Sequence, residues 1–226
     1  MRRLFCVLLL AMPSPASAVI ISGQITGGHS LANGGSFIEI LDLDNLVIGG
    51  NRYNDFNLRA FNERQNVVSD DGIETDVGRD VAAGEVVASH YVIFDPDRSA
   101  GVEGTIYFDA PIIGVATSDN VIYDSDFLMN GTATYEHVRA RGLESRDRVT
   151  LFEDQPNRLD LALWASSPGD FIRVFTETSQ LAIERGISEI ATPLPSAAVL
   201  LPAGLAGYGF ARRAFGGQRR KKPAFG

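Results

Sequence analysis

Cysteine is nearly absent: Cys6 is the only one in 226 residues. A lone thiol forms no internal disulfide and no thiolate metal site, so the folded part has to hold together by packing alone. Lysine is missing from the whole stretch Val19 to Ala191, where 12 arginines stand against 28 aspartates and glutamates, a net charge of −16. Such a surface lacks the basic patches that release counterions from nucleic acid or bind anionic lipid, and nucleic acid is excluded as a partner. It suits a salty exterior or divalent cations. Histidine is scarce as well: His29, His90 and His137 lie far apart and in neither a helical HExxH nor a Cys/His arrangement. No GxSxG elbow, Walker loop or dinucleotide fingerprint occurs. The chain is therefore read as non-enzymatic. With 28 acids, a facing carboxylate pair for glycoside hydrolysis can be chosen in many places, so a secreted carbohydrate-active hydrolase stays open as the alternative, with no catalytic residue assigned.

What is present sits first at the two ends. Arg2 and Arg3 precede a short apolar core, Leu4 to Met12, and two prolines lead to Ala16-Ser17-Ala18. This predicts a secretory signal peptide over 1–18, cleaved after Ala18, with Cys6 discarded in it. At the other end, Pro193-Leu194-Pro195 opens an apolar run from Ala197 to Phe210 that no charge interrupts. Arg212, Arg213 and a further basic cluster stop it. Leu194 to Ala211 is close to the lower limit of roughly 17 residues for a membrane-spanning helix, and the arginines suit the cytoplasmic side. The expectation is a single C-terminal transmembrane helix with everything from Val19 to Ala191 outside the cytoplasm.

The order of those C-terminal parts is informative. A Pro-Leu-Pro-small motif, a short spanning helix and an Arg-rich terminus resemble the VPLPA-CTERM variant of the PEP-CTERM sorting signals of Gram-negative bacteria, with Thr192 where that family has Val and Ser196 where it has Ala. The resemblance implies an exported protein processed by an exosortase-type sorting enzyme, with Pro193, Leu194, Pro195, Arg212 and Arg213 as the sorting residues. It implies an inner-membrane-anchored precursor with a periplasmic ectodomain and a mature form at the cell surface or outside the cell. The segments FNERQNV (Phe61 to Val67), AGEVVASHYVIFDP (Ala83 to Pro96), GTIYFDAPIIGV (Gly104 to Val115), RGLESRD (Arg141 to Asp147) and SPGDFIRVFT (Ser167 to Thr176) resemble a recurrent ectodomain of such proteins. That likeness implies a β-rich domain and brings no catalytic residues with it.

The body reads as β throughout, and the expected class is all-β: an antiparallel β-sandwich, jelly-roll-like, over 19–178, followed by a linker over 179–191 and the sorting signal over 192–226. Short β-rich runs at Val19 to Ile25, Phe37 to Leu41, Ile112 to Thr117, Val149 to Glu153, Arg158 to Ala165 and Asp170 to Thr178 are bounded by Gly, Pro, Asn and Asp. Glu85 to Asp95 is apolar on both faces, whereas Val102 to Ala110 alternates Val102, Ile106 and Phe108 against Glu103, Thr105, Tyr107 and Asp109. The turn between them predicts a hairpin within one sheet. Leu46 to Asn66, polar and Asn-rich, reads as a long loop with one or two brief strands, and Ser125 to Asn130 as a helical turn.

Few residues stand out as sites. His90 shares parity with Val86, Ala88, Val92 and Phe94, which reads as a core histidine satisfied by a neighbour. Trp164, the only tryptophan, shares parity with Arg158 and Asp160, while Leu159, Leu161 and Leu163 take the inner face. That makes it either a platform for stacking a sugar ring or a ring tucked under a loop. Close-set acids at Asp42 and Asp44, Asp70 and Asp71, Asp95 and Asp97, and Asp124 and Asp126 are of the kind that calcium takes from loops, with Asp95 and Asp97 the pair to test first. Aspartates also favour turns for their own hydrogen bonds. Arg141, Glu144 and Asp147 read as a loop-fixing ion pair. Together these observations point to a non-catalytic exported envelope or extracellular-matrix protein. Its expected partners are the sorting enzyme, the membrane and an extracellular polysaccharide, and calcium is the one cofactor considered.

Overall fold

The computed structural model describes residues 18–49, 51–136, 141–166 and 168–178. Pro193, Leu194, Pro195, Arg212, Arg213, the expected spanning helix and most of the expected signal peptide lie outside them. Among the described residues no helix is long and apolar enough to cross a membrane.

Two sheets pack together. One has four strands, in the order β1 (Ile20–Gly27), β7 (Ala100–Phe108), β11 (Arg158–Ala165) and β10 (Arg148–Leu151). The other has six, in the order β2 (Phe37–Glu39), β4 (Leu58–Val68), β6 (Val86–Phe94), β12 (Asp170–Thr176), β8 (Ile112–Ala116) and β5 (Val77–Gly78). Pairing is antiparallel except between β2 and β4, and between the short strands β3 (Val47–Ile48) and β9 (Thr134–Tyr135). The class is thus mostly β, with short helices at α1 (Gly28–Ala32) and α2 (Asp119–Asp124) and a 3-10 turn at Asp126–Leu128. The helical turn expected at 125–130 overlaps that last segment; α1 and α2 are too short to show a helical period in the sequence.

Two cores explain the arrangement. Between the sheets lie Ile20, Leu58, Val92, Phe94, Val102, Ile106, Phe108, Leu159, Leu161, Leu163, Ile172 and Val174. On the far side of the six-stranded sheet, Phe61, Tyr91, Ile93, Phe171 and Phe175 pack under Ile48, Ile73, Val81, Ile122 and Leu128. The six-stranded sheet is therefore covered on both faces, by the other sheet and by a layer of loops and short helices.

The expected hairpin is not formed: β6 and β7 belong to different sheets, with β6 between β4 and β12, and β7 between β1 and β11. The faces dictate this. Had the two strands paired, the polar row Glu103, Thr105 and Tyr107 would have continued the apolar row Val87, Tyr91 and Ile93, and neither solvent nor core would have suited both. The segment expected to be a long loop also differs, since it contains β4, an 11-residue strand near the middle of the larger sheet. Several of its polar residues are partnered by other side chains. Arg59 binds Asp55 and lies 4.1 Å over the Tyr53 ring, and Asn62 meets His90. Asn66 takes a positive φ of 53° within a β4–β6 pairing that slips twice.

The deepest of these partnerships ties the layers together. Glu63 on β4 and Arg173 on β12 are both fully buried and pair at 2.7 Å and 2.8 Å. Arg173 also donates to the Ile122 carbonyl at 2.8 Å and to Ser125 Oγ at 2.7 Å, while Tyr135 donates to Glu63 at 2.7 Å. One ion pair thus fastens α2, the 3-10 turn and β9 onto the sheet. Burial alone would lower the Arg173 pKa, but Glu63 outweighs it and keeps the guanidinium charged.

Candidate functional site

Among the described residues, one face of the four-stranded sheet is left uncovered, and strand parity decides what it shows. Leu159, Leu161 and Leu163 point into the core, so Arg158, Asp160, Ala162 and Trp164 point out. Register places Tyr107 beside Arg158, Thr105 beside Asp160, Glu103 beside Ala162 and Gly101 beside Trp164 on the neighbouring strand. On the other side of β11, Thr150 adjoins Asp160 and Arg148 adjoins Ala162. The result is a polar ladder with an aromatic ring at each end, Tyr107 and Trp164. The two ends of the ladder lie about 20 Å apart along β11 at the rise of a strand.

Within the ladder the charges are fixed. Asp160 accepts from Thr105 Oγ1 at 2.8 Å and from Arg158 at 2.8 Å and 2.6 Å. Burial would raise its pKa, but those hydrogen bonds outweigh burial and hold the carboxyl below the ordinary range. Two shallow clefts run along the face. One of about 190 Å³ is lined by Thr26, Glu103, Thr105, Arg148, Thr150 and Asp160; the other, of about 180 Å³, by His29, Glu103, Arg146, Ala162 and Trp164. Sharing Glu103 and Ala162, the two clefts adjoin as a groove along the face.

Trp164, read from its parity as outward-facing, is partly exposed at one end of that groove. Its position is set from several sides. Its backbone N–H donates to Asp147 Oδ1 at 2.6 Å and its Nε1 to Ser99 Oγ at 2.9 Å. The indole meets His29 edge to face at 4.9 Å, with the Arg146 guanidinium 5.3 Å from its centre. It also lies across Gly101, where a Cβ would come within 2.8 Å of the ring. Gly101 is therefore glycine because the ring occupies the space a side chain would need. Arg146 and His29 carried no local sequence signal for this role, since only the fold brings the 141–147 loop and the β1–α1 junction to the same ring.

A second concavity lies at the edge of the sheets. A cleft of about 330 Å³ is lined by Asp119, Leu143, Glu144, Pro168 and Asp170 among others. Asp170, at the start of β12, is only 4 % exposed, and its Oδ2 has no hydrogen-bond partner among the described residues. Burial pushes its carboxyl up to about 7, with Asp147 and Glu144 adding repulsion. Sequence reasoning missed it, although an aspartate directly after Pro-Gly at the head of an apolar strand was the available clue.

The other candidates read from the sequence are dispersed. Asp95 is buried, its Oδ2 accepting from the Tyr53 N–H at 2.9 Å, and burial raises its pKa. Asp97 is exposed beside Arg98. Asp42 accepts from the Asp44 N–H at 3.0 Å, a turn-fixing bond. Asp126 binds Arg141 at 2.7 Å and Arg173 at 3.3 Å. Among the described residues no group of three His, Asp or Glu is placed to hold a metal ion. The expected pairing of Arg141 with Glu144 or Asp147 gives way to a different one. Arg141 turns inward to Asp126, and Asp147 fixes the loop through the Glu144 and Trp164 N–H groups. His90 is a core residue as expected: Asn62 Oδ1 lies 2.8 Å from Nδ1 and Thr176 Oγ1 3.0 Å from Nε2. His137 lies outside the described residues.

Compared with known proteins, the chain matches no family model, no curated protein and no solved structure.

Proposed function

We propose that this chain is a non-catalytic exported envelope or matrix protein that holds an extracellular polysaccharide along the uncovered face of its four-stranded sheet. The observation that carries the reading is the polar groove ending at Trp164. Sugar rings offer hydroxyls to fixed carboxylates, guanidinium groups and threonines, and an apolar face to an indole. Asp160 and Arg158 are held rigid by each other, so little freedom is lost when a ligand binds. In this reading the domain is a jelly-roll-like sandwich carried to the outside by the signal peptide. Its Pro193-Leu194-Pro195 motif and apolar helix deliver it to an exosortase-type enzyme. A glycan array probed with the purified protein tests the binding. Trp164→Ala should cost about tenfold in affinity, ~1.4 kcal/mol. Absence of any glycan signal, or equal signal from the variant, contradicts it.

One observation favours a second reading, a carbohydrate-active hydrolase. In the cleft at the sheet edge Asp170, with its carboxyl raised to about 7, stands near Glu144 and Asp119. A carboxyl with a raised pKa close to a second carboxyl group is the arrangement glycoside hydrolysis uses. Release of new reducing ends from a polysaccharide panel, abolished by Asp170→Asn, would replace the binding reading with this one.

A further inference from the structure

The point where the signal peptide is expected to be cut coincides with an incompletely satisfied carboxylate. Val19 donates its backbone N–H to Asp109 Oδ1 at 2.7 Å, and Asp109 returns its own N–H to the Val19 carbonyl at 3.0 Å. The other oxygen, Asp109 Oδ2, is buried and has no hydrogen-bond partner among the described residues. No arginine, lysine or histidine pairs with Asp109 among the described residues. A single amide hydrogen is therefore all that a neighbouring residue offers one side of a carboxylate whose other side is dry. Leaving such an oxygen unpaired is costly.

We propose that Asp109 is the receptor for the α-ammonium group created at Val19 when the signal peptide is removed. The inference rests on the export reading and adds to it a site that cleavage completes. Hydrolysis of the Ala18–Val19 bond adds water. The hydroxyl goes to the Ala18 carbonyl, the nitrogen keeps Val19, and the new amine takes up a proton at neutral pH. That nitrogen then carries three N–H donors and a positive charge where it had one donor and none. It can serve both Asp109 oxygens, and a charge-assisted bond is about twice as strong as a neutral one.

The nitrogen stays in place after the cut because the residues that follow it are anchored. The Ile20 N–H donates to Asn62 Oδ1 at 3.1 Å, and Ile20 pairs with Phe108 on β7. Ile20 itself is fully buried in the core between the sheets. Departure of Ala18, which packs against Ala88 and Ala110, opens a small space beside the nitrogen. The added N–H groups have room to turn there. Cleavage one residue earlier or later would set the charge a full residue away from Asp109.

The test uses the full chain purified from exporting cells. Mass analysis of its N-terminus should give Val19. The pKa of that unmodified amine is then read by NMR from the Val19 ¹³Cα and ¹³Cβ shifts of ¹³C-labelled protein as pH is varied. It should lie at least one unit above the usual value of about 7.7–8.0 for an α-amine. Asp109→Asn should bring it back to the ordinary range and lower the melting temperature of the processed chain. The same substitution in a chain that retains Ala18 should leave melting nearly unchanged, which separates the ammonium pair from a general defect. A native chain starting at any other residue overturns both the cleavage position and the pairing. A chain starting at Val19 with an amine of ordinary pKa overturns the pairing alone and leaves export standing.

Discussion

Two buried residues contribute to the dependence of stability on pH with opposite sign. Burial lowers the His90 pKa to about 3, so between the unfolded value near 6.5 and about 3 the unfolded chain binds a proton that the folded one refuses. Stability therefore falls as pH drops through that window, by at most ~1.4 kcal/mol per unit from this group. Asp170 works in reverse. With its carboxyl raised to about 7 in the fold, the folded chain holds a proton that the unfolded chain releases above about 4. Its contribution is lost as pH rises from about 4 through 7. Asp170→Asn keeps the shape and removes the titration, so the variant should be more stable than the parent at pH 8, by a few kcal/mol at most, and no more stable at pH 4. Urea unfolding at the two pH values checks this. Equal differences at both would mean that Asp170 is not the group responsible.

Among the elements, β4 and β12 carry the strongest prediction. Glu63→Ala leaves Arg173 charged and dry, and should cost about 3–5 kcal/mol, read as a fall in the urea midpoint. Adding Arg173→Met to Glu63→Leu removes both charges together and should recover much of that loss. If the double change is worse than either single one, the pair stabilises more than apolar packing would. At the edge of the groove, Gly101→Ala should displace the indole from the strand it lies across and shift its fluorescence to longer wavelength, while the core keeps its leucines. What the sequence made legible follows the same division. Strands with one apolar face, such as Arg158–Ala165, and strands apolar on both, such as Val86–Phe94, could be placed by alternation and turn residues. Leu58–Val68 could not, because Asn62 and Glu63 are polar residues whose burial depends on partners distant in sequence, His90 lying 28 residues from Asn62 and Arg173 110 residues from Glu63. The split of β6 and β7 between sheets was written in their unlike faces, but a tight turn argues locally for a hairpin and outweighed that clue. Of the groove only the outward facing of Trp164, Asp160 and Glu103 was legible, from parity; their meeting on neighbouring strands, and the approach of His29 and Arg146, come only through the fold.

At the scale of the whole molecule, export and surface display are one proposal and glycan binding another, and they fail separately. If Pro193-Leu194-Pro195 is read by a processing enzyme, its extended backbone matters apart from hydrophobicity. Replacing both prolines by alanine leaves an anchor no less able to insert. An uncleaved precursor should then accumulate in the inner membrane, detected by size on an immunoblot of membrane fractions. Unchanged size and location would reduce the tail to a plain anchor. A polysaccharide lying along the uncovered sheet face is directly measurable, because Trp164 is the only tryptophan and intrinsic emission reports on that end of the groove alone. Titrating the purified protein with polysaccharide extracted from its own cells should give a saturable emission change at fixed ionic strength. The same titration should be at least tenfold weaker in Asp160→Ala, which leaves the reporter in place. A chain that binds the polysaccharide in a pull-down while the emission of Trp164 stays constant would place the ligand elsewhere and contradict binding along this face.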